Sequence, residues 1–310
     1  MIDPYLLAIP AFIALMILEA LVVAGKAVRG YEARDTATSL TMGVGNLVVS
    51  FSIKAVTFGL FAGLYAWRVV DWNPYTVAGW CAAIVAYDFL YYWFHRAHHE
   101  VRFLWAAHVN HHSSTYYNLS TALRQSWTTP FTGLLFYWPL PLLGFPPEMI
   151  LAVSAIDTLY QFWIHTEAID RVGPLEWVLN TPSHHRVHHG TNVEYLDRNH
   201  AGIFIVWDRL FGTFEPERAP VDYGLTTNIG TFNPVRVAFH EWAAMIVDCC
   251  RANPLAVRLG YALRPPGWSP DGSTQTSAQR RRAFERSCGQ FDGVDSGEVA
   301  FAGAATSSGK

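Results

Sequence analysis

Histidines cluster at three places in this chain, and their spacing could direct several imidazole rings at metal ions. The motifs are HRAHH at 95–99, HVNHH at 108–112 and HHRVHH at 184–189. Residues three or four apart share one face of a helix, so each motif can aim two or three ring nitrogens at one point. Eight ligands exceed the needs of a single tetrahedral site, so the pattern predicts two metal ions. The predicted ligands are His95, His99, His108, His111, His112, His185, His188 and His189.

The residue types alone leave the metal open, because neutral imidazole suits iron, zinc, copper and nickel. The number of ligands favours two iron ions, since a zinc hydrolase site needs only three protein ligands and a water. Asp157, Gln161 and His165 recur every four residues, which predicts His165 as a ninth ligand. His184 faces away from its neighbour His185 on a helix, so whether it binds metal stays open.

Four further residues are acidic or imidazole groups that could take part in the chemistry. Asp88 is seven residues before His95, and we expect its carboxylate to hold a ligand imidazole in one tautomer. Glu100 directly follows the first motif, and either acid could deliver protons. His200 and His240 have no partner at helical spacing, so the sequence assigns them no role.

The histidine motifs follow long apolar segments that could position them at a membrane. Residues 5–24, 40–67 and 75–94 are each long enough to cross about 30 Å of hydrocarbon. Residues 127–147 carry five prolines and run into 149–165, so they predict two short spans or one re-entrant hairpin. The expected fold is an all-α integral membrane protein with four to five membrane helices and a cytosolic, histidine-rich diiron cap.

Basic residues predict the orientation of these segments. Lys26, Arg29 and Arg34 crowd the first loop, which the positive-inside rule places in the cytoplasm. The histidine motifs then all lie at the cytosolic face of a multi-pass protein. The membrane would be the inner membrane of a bacterium or the endoplasmic reticulum of a eukaryote.

Composition separates a membrane domain from a tail. Charged residues make up 15% of the chain and hydrophobic residues 51%, which is typical of a membrane protein. A net charge of -3 gives no electrostatic basis for binding nucleic acid. We expect one membrane-embedded domain over 1–265 and a disordered tail over 266–310, which is rich in small and polar residues. Residues 233–251 have helical apolar spacing typical of a helix on the membrane surface.

The three motifs resemble the histidine boxes of the fatty acid hydroxylase/sterol desaturase superfamily, whose members are membrane diiron oxygenases. Longer stretches look like its alkylglycerol monooxygenase branch: HHSSTYYNLSTALRQS, YQFWIHT, TPSHHRVHHGTN and WDRLFGTFEPE. The resemblance implies that the eight box histidines bind two iron ions and that dioxygen is a co-substrate. It further implies hydroxylation of a lipid carbon beside an ether oxygen, with tetrahydrobiopterin as reductant. Gln161 departs from the pattern, because other hydroxylases of the superfamily often carry a histidine there.

Other functions remain open from the sequence. Within the superfamily, the alternative is a hydroxylase or desaturase of sterols, carotenoids or fatty acids. Because no haem-binding or flavin domain is visible, each of these non-haem oxidoreductases would need a separate electron donor or reductase. From a different class, a membrane metal-binding or transport protein is also rich in histidine. Transporters place their ligands near the bilayer midplane, whereas these motifs lie at the ends of the apolar segments.

Overall fold

The structure is a computed structural model that describes residues 4–26, 28 and 30–292. These residues form helices joined by turns, and their only β-structure is two isolated bridges. This confirms the all-α prediction for the part of the chain that is described. In chain order the helices are α1 (Pro4–Val23), α2 (Ala33–Tyr65), α3 (Val77–Glu100), α4 (Arg102–Trp105), α5 (Thr129–Tyr137), α6 (Pro139–Leu142), α7 (Pro147–Trp163), α8 (Pro182–His188), α9 (Val206–Phe211), α10 (Pro234–Arg251), α11 (Leu255–Leu263) and α12 (Ser277–Asp292).

Two of the described helices, α2 and α3, are long and apolar enough to cross a membrane. Apolar side chains such as Val44, Val48 and Phe51 lie exposed along α2, as lipid-facing residues of a span would. Helix α3 begins after the N-cap Thr76 and continues to Glu100, six residues beyond the predicted span. The first histidine motif therefore belongs to this helix and does not follow it.

Prolines divide residues 127–165, the segment predicted to form two short spans or one re-entrant hairpin, into three helices. Pro139 ends α5 and begins α6, and Pro147 begins α7. Between them Gly144 turns the chain with a φ of 95°, where a Cβ atom would lie 1.8 Å from the Val70 carbonyl oxygen. With nine and four residues, neither α5 nor α6 alone reaches across about 30 Å of hydrocarbon.

Helices α2, α3 and α7 pack around one apolar core. Phe61 near the end of α2 joins Ala83 and Tyr87 of α3 and Met149 and Val153 of α7 in a buried cluster. The core uses the N-terminal halves of both α3 and α7. These two helices therefore run side by side in the same direction, and their C-terminal ends carry the first histidine motif and His165 to one side of the protein.

The C-terminal region departs from the predicted tail. The segment predicted to be a helix over 233–251 is α10, and α11 packs against it. The tail was expected to be disordered from residue 266, yet α12 lies within it, and the Arg281 side chain donates a hydrogen bond to the Leu196 carbonyl. That contact orders this part of the tail. Residues 293–310 lie outside the described residues.

Candidate metal centre

The ends of α3 and α7 supply three of the predicted ligands. His95 and His99 lie one turn apart near the end of α3, and His165 follows the last turn of α7. Nδ1 of His95 lies 2.8 Å from the His200 carbonyl oxygen, and Nδ1 of His165 lies 2.7 Å from that of Gln161. A carbonyl can only accept, so each Nδ1 donates and each Nε2 lone pair stays free for a metal ion.

The second and third motifs use different local structures. Residues 108–110 form turns and His111–Ser113 a short 3-10 helix, so the α-helix implied by the spacing of the second motif is absent. The third motif lies on α8, with His189 as its C-cap. The Arg198 carbonyl lies 2.9 Å from Nδ1 of His188 and orients this ring as well.

The nine predicted ligands form two sets of buried rings, which we name by their members. The first histidine group is His95, His99, His108, His112 and His188. The second histidine group is His111, His165, His185 and His189. Within each group, one ring nitrogen from every member lies within 4.8 Å of the others. The second and third motifs are thus each divided between two groups and do not converge on single points as their spacing suggests.

Adjacent histidines explain this division. Neighbouring residues diverge by about 100° on a helix and by a comparable angle on a tight turn. His111 and His112 therefore face different groups, as do His188 and His189. The groups are adjacent, because the rings of His112 and His189 stack with their centroids 4.4 Å apart.

The distances between ring nitrogens fit metal ligation. In the first group, Nε2 of His108 lies 3.0 Å from that of His95 and 3.1 Å from that of His112. In the second, Nε2 of His165 lies 3.2 Å from that of His111 and 2.9 Å from that of His185. Two nitrogens bound at about 2.1 Å to one ion, at a right angle, are about 3 Å apart.

Unsatisfied nitrogens support the same conclusion. Nε2 of His99, His188 and His189 is buried and has no hydrogen-bond partner. Buried polar atoms normally have hydrogen-bond partners. We therefore expect these three nitrogens to donate their lone pairs to a bound group. The residues present therefore fit two metal ions, although ligation by each histidine stays a prediction.

Burial also keeps the ligand rings neutral. It lowers the pKa of His185, His188 and His189 well below the usual value, and charge repulsion from neighbouring histidines lowers it further. Burial lowers the pKa of His165 to about 4. At neutral pH these imidazoles are unprotonated, which is the form that binds metal.

Glu100 and His184, which were among the predicted site residues, lie outside both groups. The Glu100 carboxylate is on the surface, where its Oε1 accepts a hydrogen bond of 2.8 Å from Nε of Arg96. The structure thus does not support proton delivery by Glu100, because its side chain leaves α3 on a different face from His99. His184 is buried against Phe214 instead, with ring centroids 5.4 Å apart.

Asp88 holds a loop and not an imidazole, which corrects the predicted role. Its carboxylate accepts hydrogen bonds from the backbone N–H groups of Ile203 and Phe204, at 2.6 and 3.0 Å. It also accepts one from Nε1 of Trp207 at 2.8 Å. These contacts fasten the loop after His200 to α3, so Asp88 acts on the site through that loop.

We expect Asp88→Asn to destabilise the protein without shifting the pH profile of activity. An amide keeps only one acceptor oxygen, so at least one buried donor loses its partner, at a cost of about 1–3 kcal/mol. The free energy of unfolding in detergent micelles measures this effect. Asp71→Asn is the matched control, since Asp71 is exposed and forms a surface pair with Arg68. A shifted pH profile at unchanged stability would instead support the role in proton delivery.

His200 is a residue that sequence reasoning missed. Its ring is fully buried, with centroids 5.1 Å from His99 and 5.7 Å from His188, and neither ring nitrogen has a hydrogen-bond partner. The Asp208 carboxylate positions it by accepting the backbone N–H of His200 at 2.8 Å. No helical spacing links His200 to a motif, so the sequence carried no signal for this placement.

Gln161 lies beside the second histidine group, but its side-chain amide forms hydrogen bonds to residues outside that group. Its Oε1 accepts a hydrogen bond of 2.7 Å from the Tyr91 hydroxyl, and its Nε2 donates one of 2.6 Å to Asp157. The second group therefore has four histidines where the first has five. This difference leaves the second group with fewer candidate ligands.

The loop that carries His200 approaches α3 and α7 too closely for a side chain at Gly202. A Cβ atom there would lie 2.7 Å from the carboxylate oxygens of both Asp88 and Asp157. We expect Gly202→Ala to displace the loop and to cost about 1–3 kcal/mol, as overpacking does. Thermal unfolding measures the loss. The matched control is Gly133→Ala, where the nearest atom is 3.8 Å away; equal effects at both positions would contradict the prediction.

A buried ion pair fixes the turn that carries the second motif. Nη1 of Arg124 lies 3.0 Å from Oδ1 of Asp35 at the start of α2 and 3.1 Å from the Ser39 hydroxyl. Nε of Arg124 donates to the hydroxyl of Ser113, which follows His112 directly. The NLSTALRQS stretch thus connects α2 to the ligand-bearing turn.

Comparison with known proteins relates this site to a protein family. Residues 80–213 match the model of the fatty acid hydroxylase family. The chain is 43% identical to alkylglycerol monooxygenase of Homo sapiens over 85% of its length and 59% of that protein. It is 42% identical to that of Xenopus tropicalis over 84% of its length and 58% of that protein.

A third relative acts on another lipid. Ornithine lipid hydroxylase OlsE of Rhizobium tropici is 32% identical over 47% of the chain and 45% of that protein. No solved structure matches the chain significantly. The chain spans somewhat more than half the length of the alkylglycerol monooxygenases that it matches. The resemblance predicted from the histidine motifs is confirmed.

Proposed function

We propose that this chain is a membrane-bound diiron monooxygenase that hydroxylates a lipid C–H bond. In an alkylglycerol the carbon attacked would be the one beside the ether oxygen. One observation carries this proposal: five and four buried histidines form two adjacent groups with the nitrogen spacing of metal ligands. Similarity to alkylglycerol monooxygenases supports the choice of substrate.

The cofactors follow from the donor set and the relatives. The two histidine groups would each hold one iron ion, because imidazole suits iron among other metals and the resemblance to membrane diiron oxygenases favours iron. When bound, the iron pair would supply the one-electron chemistry that activates dioxygen. Tetrahydrobiopterin, or a separate electron donor or reductase, would provide the electrons.

The protein's own part is to hold the rings and exclude water. Carbonyl contacts at His95, His165 and His188 prevent these rings from turning, so they lose little freedom on binding metal. Aromatic rings cover the two groups. Trp105 lies 5.0 Å from His99, and Tyr117 lies 5.2 Å from His189, measured between ring centroids. Closure against water limits side reactions of the activated centre.

The membrane arrangement supports a lipid substrate. We propose that α1, α2, α3 and α7 lie in the bilayer and that the histidine groups face the cytosol, as the basic first loop indicates. Glu19 of α1 reaches the site from this side, because its carboxylate accepts hydrogen bonds from the Thr166 hydroxyl and the Leu119 N–H. The compartment would be the inner membrane of a bacterium or the endoplasmic reticulum of a eukaryote.

The experiment is a product analysis with the purified, iron-loaded protein in lipid nanodiscs. An alkylglycerol, dioxygen and tetrahydrobiopterin are supplied, and mass spectrometry follows the lipid. Hydroxylation beside the ether oxygen gives a hemiacetal, which breaks down to a fatty aldehyde and glycerol. An acylglycerol of equal chain length is the control, because its ester has no ether C–H bond and should stay intact.

Other outcomes would select the alternatives. An unchanged alkylglycerol with hydroxylated fatty acids, sterols or ornithine lipids would indicate another lipid hydroxylase, and the likeness to ornithine lipid hydroxylase OlsE favours this second candidate. Iron binding without oxygen consumption on any lipid would indicate a metal-binding or transport protein.

A further inference from the structure

Helix α10 presents its apolar face to the outside and its charged face to the protein. Arg102 reaches it from α4 and donates hydrogen bonds to the carboxylates of Glu241 and Asp248, both at 2.7 Å. The opposite face carries an apolar stripe at helical spacing, and its side chains are between 42% and 57% exposed. The α10 stripe consists of Val235, Phe239, Ile246 and Val247.

Helix α11 adds a second exposed row beside α10. Leu255, Leu259 and Leu263 lie four residues apart and are between 50% and 68% exposed. The two helices are in contact, since the Cys249 thiol donates to the Arg258 carbonyl oxygen. A helix on a water-facing surface would show polar side chains there, so an apolar row on each helix indicates that something covers them.

The surroundings of α10 point to lipid as the covering partner. Val237 and Ala238 pack on Met42 of α2, and the Thr38 hydroxyl of α2 donates a hydrogen bond to the Phe232 carbonyl. The exposed apolar surface of α10 therefore adjoins the outer surface of a helix that is long and apolar enough to cross a membrane. Exposed arginines flank the two rows, as is typical of helices that bind anionic lipid head groups. They are Arg236, Arg251, Arg258 and Arg264.

We propose that α10 and α11 lie in the surface of the membrane, with their apolar rows buried at the boundary between head groups and acyl chains. This arrangement connects the lipid surface to the first histidine group through α4. Arg102 of α4 binds the charged face of α10, and Trp105 of α4 lies 5.6 Å from His112, measured between ring centroids. The proposal does not depend on the reaction that the site catalyses.

A spin label on the native Cys250, which is exposed on α10, tests this arrangement in the full chain. The other three cysteines are replaced by Cys81→Ser, Cys249→Ser and Cys288→Ser, and the protein is placed in nanodiscs of phosphatidylcholine and phosphatidylglycerol. Oxygen concentrates among acyl chains and a nickel chelate stays in water, so the ratio of their collision rates reports the surroundings of the label. In the same background with Cys250→Ser, Val48→Cys on α2 is the lipid reference. Thr226→Cys is the water reference, because Thr226 is an exposed polar residue in the segment between α9 and α10.

We expect the ratio at Cys250 to resemble that at Val48→Cys. Phe239 lies eleven residues, or about three turns, before Cys250 on the same face of α10, so Phe239→Cys should agree. Bound iron equal to that of the unmodified protein shows that each variant is folded. A ratio like that of Thr226→Cys would overturn the proposal, because the row would then face water. Protection from both reagents would overturn it as well, since the row would then be covered by protein, such as a second copy of the chain.

Discussion

His188→Ala is expected to remove the metal ion of the first histidine group and to lower activity by more than about 100-fold, because loss of a residue that only supports a ligand already costs about 10–100-fold. His189→Ala is expected to have the same effect on the second group. These neighbours face different groups, so each variant should lose a different ion. Bound iron per chain, with Mössbauer spectra of the remaining ion, measures the result.

Together, His188→Ala and His189→Ala test whether the third motif is divided between the two histidine groups more sharply than either variant does alone. Distinct spectra of the remaining ion are expected, since one group has five histidines and the other four. His240→Ala is the control, because His240 lies outside both groups and its Nδ1 lies 3.0 Å from the Val237 carbonyl oxygen. Full iron content in either ligand variant, or identical spectra in both, would contradict the assignment.

Arg124→Met is expected to lower the free energy of unfolding by about 3–5 kcal/mol, the usual cost of removing one partner from a buried ion pair. Arg124 and Asp35 are almost completely buried, at 1% and 2% exposure. Without the guanidinium, the Asp35 carboxylate is left as a buried charge with fewer donors around it. Unfolding of the micelle-bound protein by a denaturing detergent measures the difference.

A second substitution separates the loss of charge pairing from the loss of packing. Asp35→Asn combined with Arg124→Met removes the unpaired charge, so we expect this double variant to be more stable than Arg124→Met alone. Arg68→Met, which breaks an exposed pair with Asp71, is the control and should change stability by less than about 1 kcal/mol. A double variant less stable than the single one would show that packing and not charge dominates at this site.

The sequence alone was sufficient for those features that depend on local spacing. Apolar runs of membrane length predicted α2 and α3, and four-residue intervals predicted that His95 and His99 share a face and that His165 is a further member of the site. Box motifs and longer stretches predicted the family. These features repeat within one helix or one short segment, so their periodicity is visible without any knowledge of packing.

Only the tertiary structure decided how these pieces combine. The division of the second and third motifs between two groups depends on how their turn and α8 meet α3 and α7, and the placement of His200 depends on a loop held by Asp208. Asp88 was expected to hold an imidazole, yet its carboxylate accepts hydrogen bonds from backbone groups 115 and 116 residues away and from the Trp207 indole. Such contacts join segments with no common period, because they are set by the packing of whole helices and not by the spacing of residues along one of them.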